Sequence, residues 1–209
     1  MIYWYNNINL NSRGEIMREL KGIEEKILDR ALYLFGKNGT TNVPIRTIVR
    51  EAEVNVSAIN YYFGSKDKML KYVKEFYLEN ISQAYAALYK NDLSDEEKVI
   101  ECANEIIEYS LRYPGVLIMT KEALTSKEKD DIDIKIIENL KAKNKQLDII
   151  LKKVINSNDE EYIYKKMIFI SSITYPTANE EFIFENDIIK NKEKRKKYII
   201  SLIRLLKEK

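Results

Sequence analysis

Apolar residues along this chain recur mainly at intervals of three and four, the period of an amphipathic helix. Ile23, Ile27, Ala31 and Leu34/Phe35 set a first helix, which the run from Gly36 to Gly39 is expected to stop. Pro44 suits the first residue of a second helix reaching about Ala52. A short break at Glu53-Val54-Asn55 leads into a third helix, Val56–Phe63. Gly64-Ser65 is the next break, and Ser65 is a good N-cap for a long helix from Lys66 to about Lys90, with Leu70, Val73, Tyr77, Ile81 and Leu88 on one face. Ser94 and Glu97 have capping-box spacing and open a helix to about Arg112. Pro114 opens a short apolar helix, and Ile132 to Val154 marks a long one. A helix capped at Asn158 to Glu161 is expected to end at Pro176, and the last carries Tyr198 to Leu206. The reading is all-α, about nine helices with no convincing strand.

Composition narrows the chemistry. The 209 residues hold 6 Gly and 3 Pro, few interruptions for a chain this long, which agrees with helices throughout. Histidine is absent. That excludes Ser-His-Asp and Cys-His nucleophile systems, a His general base and any His-containing zinc site. Paired carboxylates such as Asp130-Asp131 and Glu160-Glu161 read as charge at helix starts, so no enzyme and no cofactor or metal is expected. The one cysteine, Cys102, cannot form an intrachain disulfide, and a reducing cytoplasm is the expected compartment. No apolar run approaches the ~20 residues of a membrane span. The formal charge is only +2, yet residues 18–74 hold eleven Lys/Arg against seven Asp/Glu. A polyanion would therefore meet the N-terminal part first.

Residues 45–70 carry the most specific signal. Two short helices joined by a three-residue turn form a helix-turn-helix, whose second helix can lie in a major groove about 12 Å wide. In Val56–Tyr62, Ile59 and the following Phe63 are four apart and can face a core, leaving Ser57, Ala58, Asn60, Tyr61 and Tyr62 on the other side. Small residues allow close approach to bases, asparagine can pair bidentately with adenine, and tyrosine hydroxyls and Lys66 can reach phosphates. Tyr61-Tyr62 can equally be a packing pair between helices.

The run Ile48-Val49-Arg50-Glu51-Ala52-Glu53-Val54-Asn55-Val56-Ser57-Ala58-Ile59-Asn60-Tyr61-Tyr62-Phe63-Gly64-Ser65-Lys66-Asp67-Lys68-Met69-Leu70 resembles the signature of the tetracycline-repressor (TetR) family of transcriptional regulators. Upstream, Ile27-Leu28-Asp29-Arg30-Ala31-Leu32-Tyr33-Leu34-Phe35-Gly36-Lys37-Asn38-Gly39 resembles the family's first-helix pattern. The chain departs from that pattern at the turn glycine, here Glu53, at a small residue, here Val49, and at a helix-opening threonine, here Val43. A left-handed Glu53 would cost roughly 1–2 kcal/mol. The family's turn serine is Asn55, which can still cap the third helix, and Arg46 matches the position from which family members often reach a base.

The resemblance implies a three-helix DNA-binding head at 18–65 after an N-terminal extension at 1–17, and a larger helical body at 66–209 for effector binding and dimerisation. It implies DNA contacts from Arg46, Asn55, Ser57, Ala58, Asn60, Tyr61, Tyr62 and Lys66. It implies a homodimer joined through the last two helices, with Ile199, Leu202, Ile203 and Leu206 at the interface, on an inverted-repeat operator of double-stranded DNA. It also implies a small apolar or aromatic effector among Tyr77, Tyr85, Cys102, Ile106, Tyr109, Met119 and Met167. The alternative is a protein of the same fold with degenerate DNA recognition that acts through protein partners. Residues 1–16 have no cap and no clean period. If Arg13 uses a purine-rich codon, Arg13-Gly14-Glu15-Ile16 is spaced like a ribosome-binding site ahead of Met17, so Met17 is the expected native start. The rival is an arm placing Arg13 and Arg18 in a minor groove.

Overall fold

The computed structural model describes residues 9–10, 16–17, 22–178 and 187–208. Helix α1 (Ile23–Asn38) turns Ile27, Leu28, Ala31, Leu32, Leu34 and Phe35 inward. It runs through Gly36 and ends at Gly39, whose φ of 66° gives the left-handed C-cap that glycine adopts without penalty. Gly36 therefore serves packing and not termination. A Cβ there would stand 2.2 Å from the Pro114 carbonyl carbon, and a Cβ on Gly115 would stand 2.1 Å from the Leu32 oxygen. The two glycines let α1 meet the start of α6 (Gly115–Thr125) backbone to backbone.

Helices α2 (Ile45–Glu51, after Pro44) and α3 (Ser57–Phe63) complete the head. Ser65 accepts from Lys68 N at 3.2 Å and starts α4 (Lys66–Ala84). The expected single helix to Lys90 is shorter: it breaks at Tyr85 into a 3-10 turn, Ala86–Tyr89, which buries Ala87 and Leu88 against α5 (Asp95–Arg112). The Ser94/Glu97 capping box forms as predicted, and a second box, Asp130/Asp133, opens α7 (Asp131–Ile155). Asn158 Oδ1 accepts from Glu161 N at 2.9 Å at the start of α8 (Asp159–Ala178).

Pro176 does not end α8, contrary to expectation. Proline deprives the Ser172 carbonyl of its usual amide donor, and the Tyr198 hydroxyl donates to that carbonyl at 2.8 Å instead. Tyr198 lies on the last helix, α9 (Lys192–Lys207). The charged run from Lys190 to Lys197 is helical from Lys192 and includes a fully buried guanidinium. Arg195 donates to Asn104 Oδ1 (2.9 Å) and the Ile189 carbonyl (2.8 Å), and pairs with Glu108. A buried charge persists only when paired in this way.

The nine α-helices among the described residues make the fold all-α, apart from a two-residue antiparallel pair, β1 (Asn9–Leu10) with β2 (Ile16–Met17). The expectation for residues 1–16 otherwise falls outside the described residues. The apolar interior has two parts. One joins the head to α4, α6 and the start of α7; the other joins α5, the end of α7, α8 and α9. Head and body are further tied at Asp29, which is 2% exposed on α1. It accepts from Arg30 (2.6 and 2.9 Å) and from the Tyr113 hydroxyl (3.0 Å) at the α5–α6 corner.

Candidate nucleic-acid interface

The turn between α2 and α3 is closed by backbone bonds: Glu53 N donates to the Arg50 carbonyl at 3.1 Å and Val54 N to the Val49 carbonyl at 2.9 Å. Glu53 has φ 54°, the left-handed conformation that a glycine would hold freely. Its side chain is exposed and pairs with Lys26 of α1 at 3.3 Å. Val49 and Val43 are both buried in the head core. At Val43, where the family pattern has a threonine, the side chain packs inward. Ile48, Ile59 and Phe63 complete the wedge that fixes α3 against α2 and α4.

Opposite that wedge α3 presents an exposed ridge. Ser57, Asn60, Tyr61 and Gly64 stand at i, i+3, i+4 and i+7, and all four are exposed. Tyr61 is 83% exposed, with its ring edge-on to Tyr62 at 4.9 Å. Tyr62 and Ala58 are half-buried and pack against the head core, so they border the ridge and do not crown it. Asn55 Oδ1 accepts from Ser57 N (2.9 Å) and Ser57 Oγ (3.0 Å), which closes the start of α3 and occupies the asparagine. Lys66 Nζ donates to Asn42 Oδ1 at 3.1 Å, holding its ammonium beside the loop that precedes α2. Arg46 and Arg50 are exposed on α2. Val56, one residue before α3 and 52% exposed, joins this surface. Sequence reading starts the third helix at Val56 but, because the residue is apolar, does not count it among the exposed contacts.

The residues expected around an effector lie on α4, the turn after it, α5, α6 and α8. Tyr77 is fully buried and hydrogen-bonds Thr120; burial pushes its hydroxyl up to about 12, with the Thr120 bond opposing. Tyr85 packs between the two apolar clusters, and its hydroxyl donates to Asn144 Oδ1 at 3.1 Å. Burial, with Cys102 next in effect, drives its pKa upward. The Tyr109 hydroxyl donates to Gln83 Oε1 at 2.8 Å, and its ring stacks on Tyr113 at 6.2 Å. Cys102 is fully buried and burial pushes its thiol up; Ile106 is half-buried beside it on α5. Met119 lies nearer the head, in a groove of about 300 Å³ bordered by Thr41, Leu70 and Lys74. Met167 requires correction, because it is 64% exposed on the outer face of α8 and not inside the body. Sequence reading misses the polar partners Gln83, Asn144 and the mostly buried Glu105, whose carboxyl burial and then Glu108 hold above its usual range.

The dimer-interface expectation is also corrected. Ile199, Leu202, Ile203 and Leu206 are 0–7% exposed and pack inside the chain's own second core. Periodicity identifies an apolar stripe but not the surface that covers it. On these last two helices the exposed apolar side chains are instead Ile163, Tyr164, Met167, Ile168 and Tyr175 on α8 and Ile200 and Leu205 on α9. No helix among the described residues is long and apolar enough to cross a membrane, and no group of described carboxylates or thiols could hold a metal ion.

Comparison with known proteins agrees with this geometry. The model of bacterial regulatory proteins of the tetR family matches residues 27–73, which span α1 to the first turns of α4. The HTH-type transcriptional repressor NicS of Pseudomonas putida KT2440 is 30% identical over 149 residues, 70% of this chain and 68% of that protein. Among solved structures, a TetR-family transcriptional regulator from Bordetella parapertussis 12822 superposes with a TM-score of 0.64 at 15% identity, covering 89% of this chain and 94% of the other. The TetR-family regulator PfmR of Thermus thermophilus gives 0.61 at 15% identity, with 90% and 96% covered. With its head, its all-helical body and a repressor relative over two thirds of its length, this chain belongs to the TetR family of transcriptional regulators.

Proposed function

We propose that the chain is a dimeric repressor that holds an inverted-repeat operator through its two heads and releases it when a small molecule enters the body. The carrying observation is the exposed ridge of α3, which has no other described element packed over it and projects Asn60 and Tyr61 outward. Division at about residue 65 separates the DNA-reading part from the effector-binding and dimerising part. In this reading Arg46 and Asn60 contact bases, Lys66 and the Tyr62 hydroxyl reach phosphates, and Tyr61 lays its ring along the groove with its hydroxyl extending to the backbone. The exposed apolar face of α8, extended by Ile200 and Leu205, supplies the two-fold contact, because a C2 interface needs a self-complementary patch. An effector with an apolar or aromatic body suits the region around Tyr77, Tyr85, Ile106 and Tyr109. Whatever binds must favour one head spacing over another, and α4, which touches head and body alike, is the natural lever.

The test is selection from random duplex DNA by the full-length chain. An enriched inverted repeat, bound by two chains in sedimentation, is expected. Retention of all sequences alike, or of none, would overturn the assignment.

A further inference from the structure

The operator is read by a helix with an unusual set of side chains. Helix α3 has the sequence Ser-Ala-Ile-Asn-Tyr-Tyr-Phe, with no Lys, Arg, Asp or Glu. Its seven residues rise about 10 Å, the span of roughly three base pairs. In the major groove, guanine O6/N7 is matched by Arg or Lys and cytosine N4 by Asp or Glu, whereas adenine N6/N7 is matched by Asn or Gln and the thymine methyl by apolar groups. The exposed face of α3 offers Asn60 and apolar surface for the second kind and no Lys, Arg, Asp or Glu for the first. Asn60 is exposed at the middle of the ridge, where its side-chain amide can meet a base edge. Tyr61, next to Asn60 in sequence, projects an 83% exposed ring, and Val56, four residues before Asn60, a 52% exposed isopropyl group. Ser57 is small, and its hydroxyl is already given to Asn55.

The groups that could grip guanine lie elsewhere. Arg46 and Arg50 are exposed on α2, the helix before α3. The Lys66 ammonium is held at Asn42.

We infer that the base pairs beneath α3 are A·T pairs, read by Asn60 on adenine and by Val56 and Tyr61 on thymine methyl groups, with any guanine contact confined to the flank reached from α2. The inference rests on the DNA-binding reading above and adds to it the base preference of the half-site and the two apolar side chains that set it.

The experiment uses the full-length chain and the sequence enriched from random duplexes. The step beneath α3 is located as the base pair at which Asn60→Ala erases discrimination, a loss of roughly 5- to 150-fold. Thymines at that step and the two beside it are then replaced by uracil, which removes only the 5-methyl group. Each lost methyl contact should weaken wild-type binding about fourfold. The thymine-to-uracil ratio should collapse towards one in the variant carrying both Val56→Ala and Tyr61→Ala. A ratio within one protein cancels any general loss of affinity. G·C pairs beneath α3, or a uracil penalty that survives in the double variant, would overturn the inference while leaving the DNA-binding reading intact. No enriched sequence at all would overturn both.

Discussion

Glu53 is held at φ 54° in the turn on which the whole DNA-reading unit depends, and replacing it isolates the cost of that conformation. A left-handed non-glycine residue costs about 1–2 kcal/mol. Glycine would remove that strain but would add unfolded-chain entropy worth about 0.4–1 kcal/mol. The Lys26 pair at 3.3 Å is also lost; Glu53 is 82% exposed there, so the pair is worth about 0–1 kcal/mol. Glu53→Ala loses the pair and keeps the strain, which makes it the proper reference. Glu53→Gly should then be more stable than Glu53→Ala by about 1 kcal/mol, or roughly 2–4 °C in Tm for a chain of this size. Urea unfolding followed by circular dichroism, at one fixed protein concentration because association adds stability, gives the difference directly. Equal stability of the two variants, with equal m-values, would refute the claim that the turn is strained.

Three further outcomes follow from the packing. Gly115→Ala should cost about 3 kcal/mol, because its methyl group meets backbone at Leu32 rather than a movable side chain, and thermal unfolding will register the loss. Cys102 should resist an aromatic disulfide reagent in the native protein and react only after denaturant is added, since burial raises its thiol pKa and keeps the reagent out; fast native labelling would contradict its placement. Lys74 bonds Asp130 at 2.9 Å and Asp133 at 2.7 Å, tying α4 to the start of α7. Although burial alone would lower the Lys74 pKa, Asp133 and then Asp130 raise it above 10.5, and Lys74 in turn holds Asp130 below 3.8 against its own desolvation. A raised lysine stabilises fully below 10.5 and ceases to as pH climbs through its folded value; a depressed aspartate stabilises fully above 3.8 and ceases to as pH falls through its folded value. Lys74→Met should therefore cost about 1–3 kcal/mol at a constant level between those limits, with the gap to wild type closing outside them, as pH-dependent unfolding can measure.

Local signals in the sequence carry much of this architecture. The caps at Ser65, Ser94 and Asn158 form where spacing alone puts them, because an N-cap needs only residues within one turn of itself. Glu53 takes the left-handed turn that the family pattern implies. What sequence reading misses depends on contacts between distant segments. Gly36 reads as a helix stop, yet its purpose is the approach of Pro114 and Gly115 from far along the chain. Pro176 reads as an end, but Tyr198 repairs the broken ladder. Arg195 stands within a run of lysines, and only the fold reveals Asn104 and Glu108 opposite it. In the same way the stripe of Ile199, Leu202, Ile203 and Leu206 is legible as apolar, while its partner, the chain's own core, is not.

Two single substitutions on the head test the central claim, that α3 and the start of α4 form the DNA-reading surface. Fluorescence anisotropy of the full-length chain on its selected operator and on unrelated duplex, across a salt series, compares Asn60→Ala with Lys66→Ala. Asn60→Ala should weaken the operator by about 1–3 kcal/mol and leave unrelated DNA nearly unchanged. Lys66→Ala should weaken both alike and reduce the salt slope by about one. If neither substitution changes binding, or if both act on every sequence to the same degree, the surface that contacts DNA lies elsewhere on the molecule.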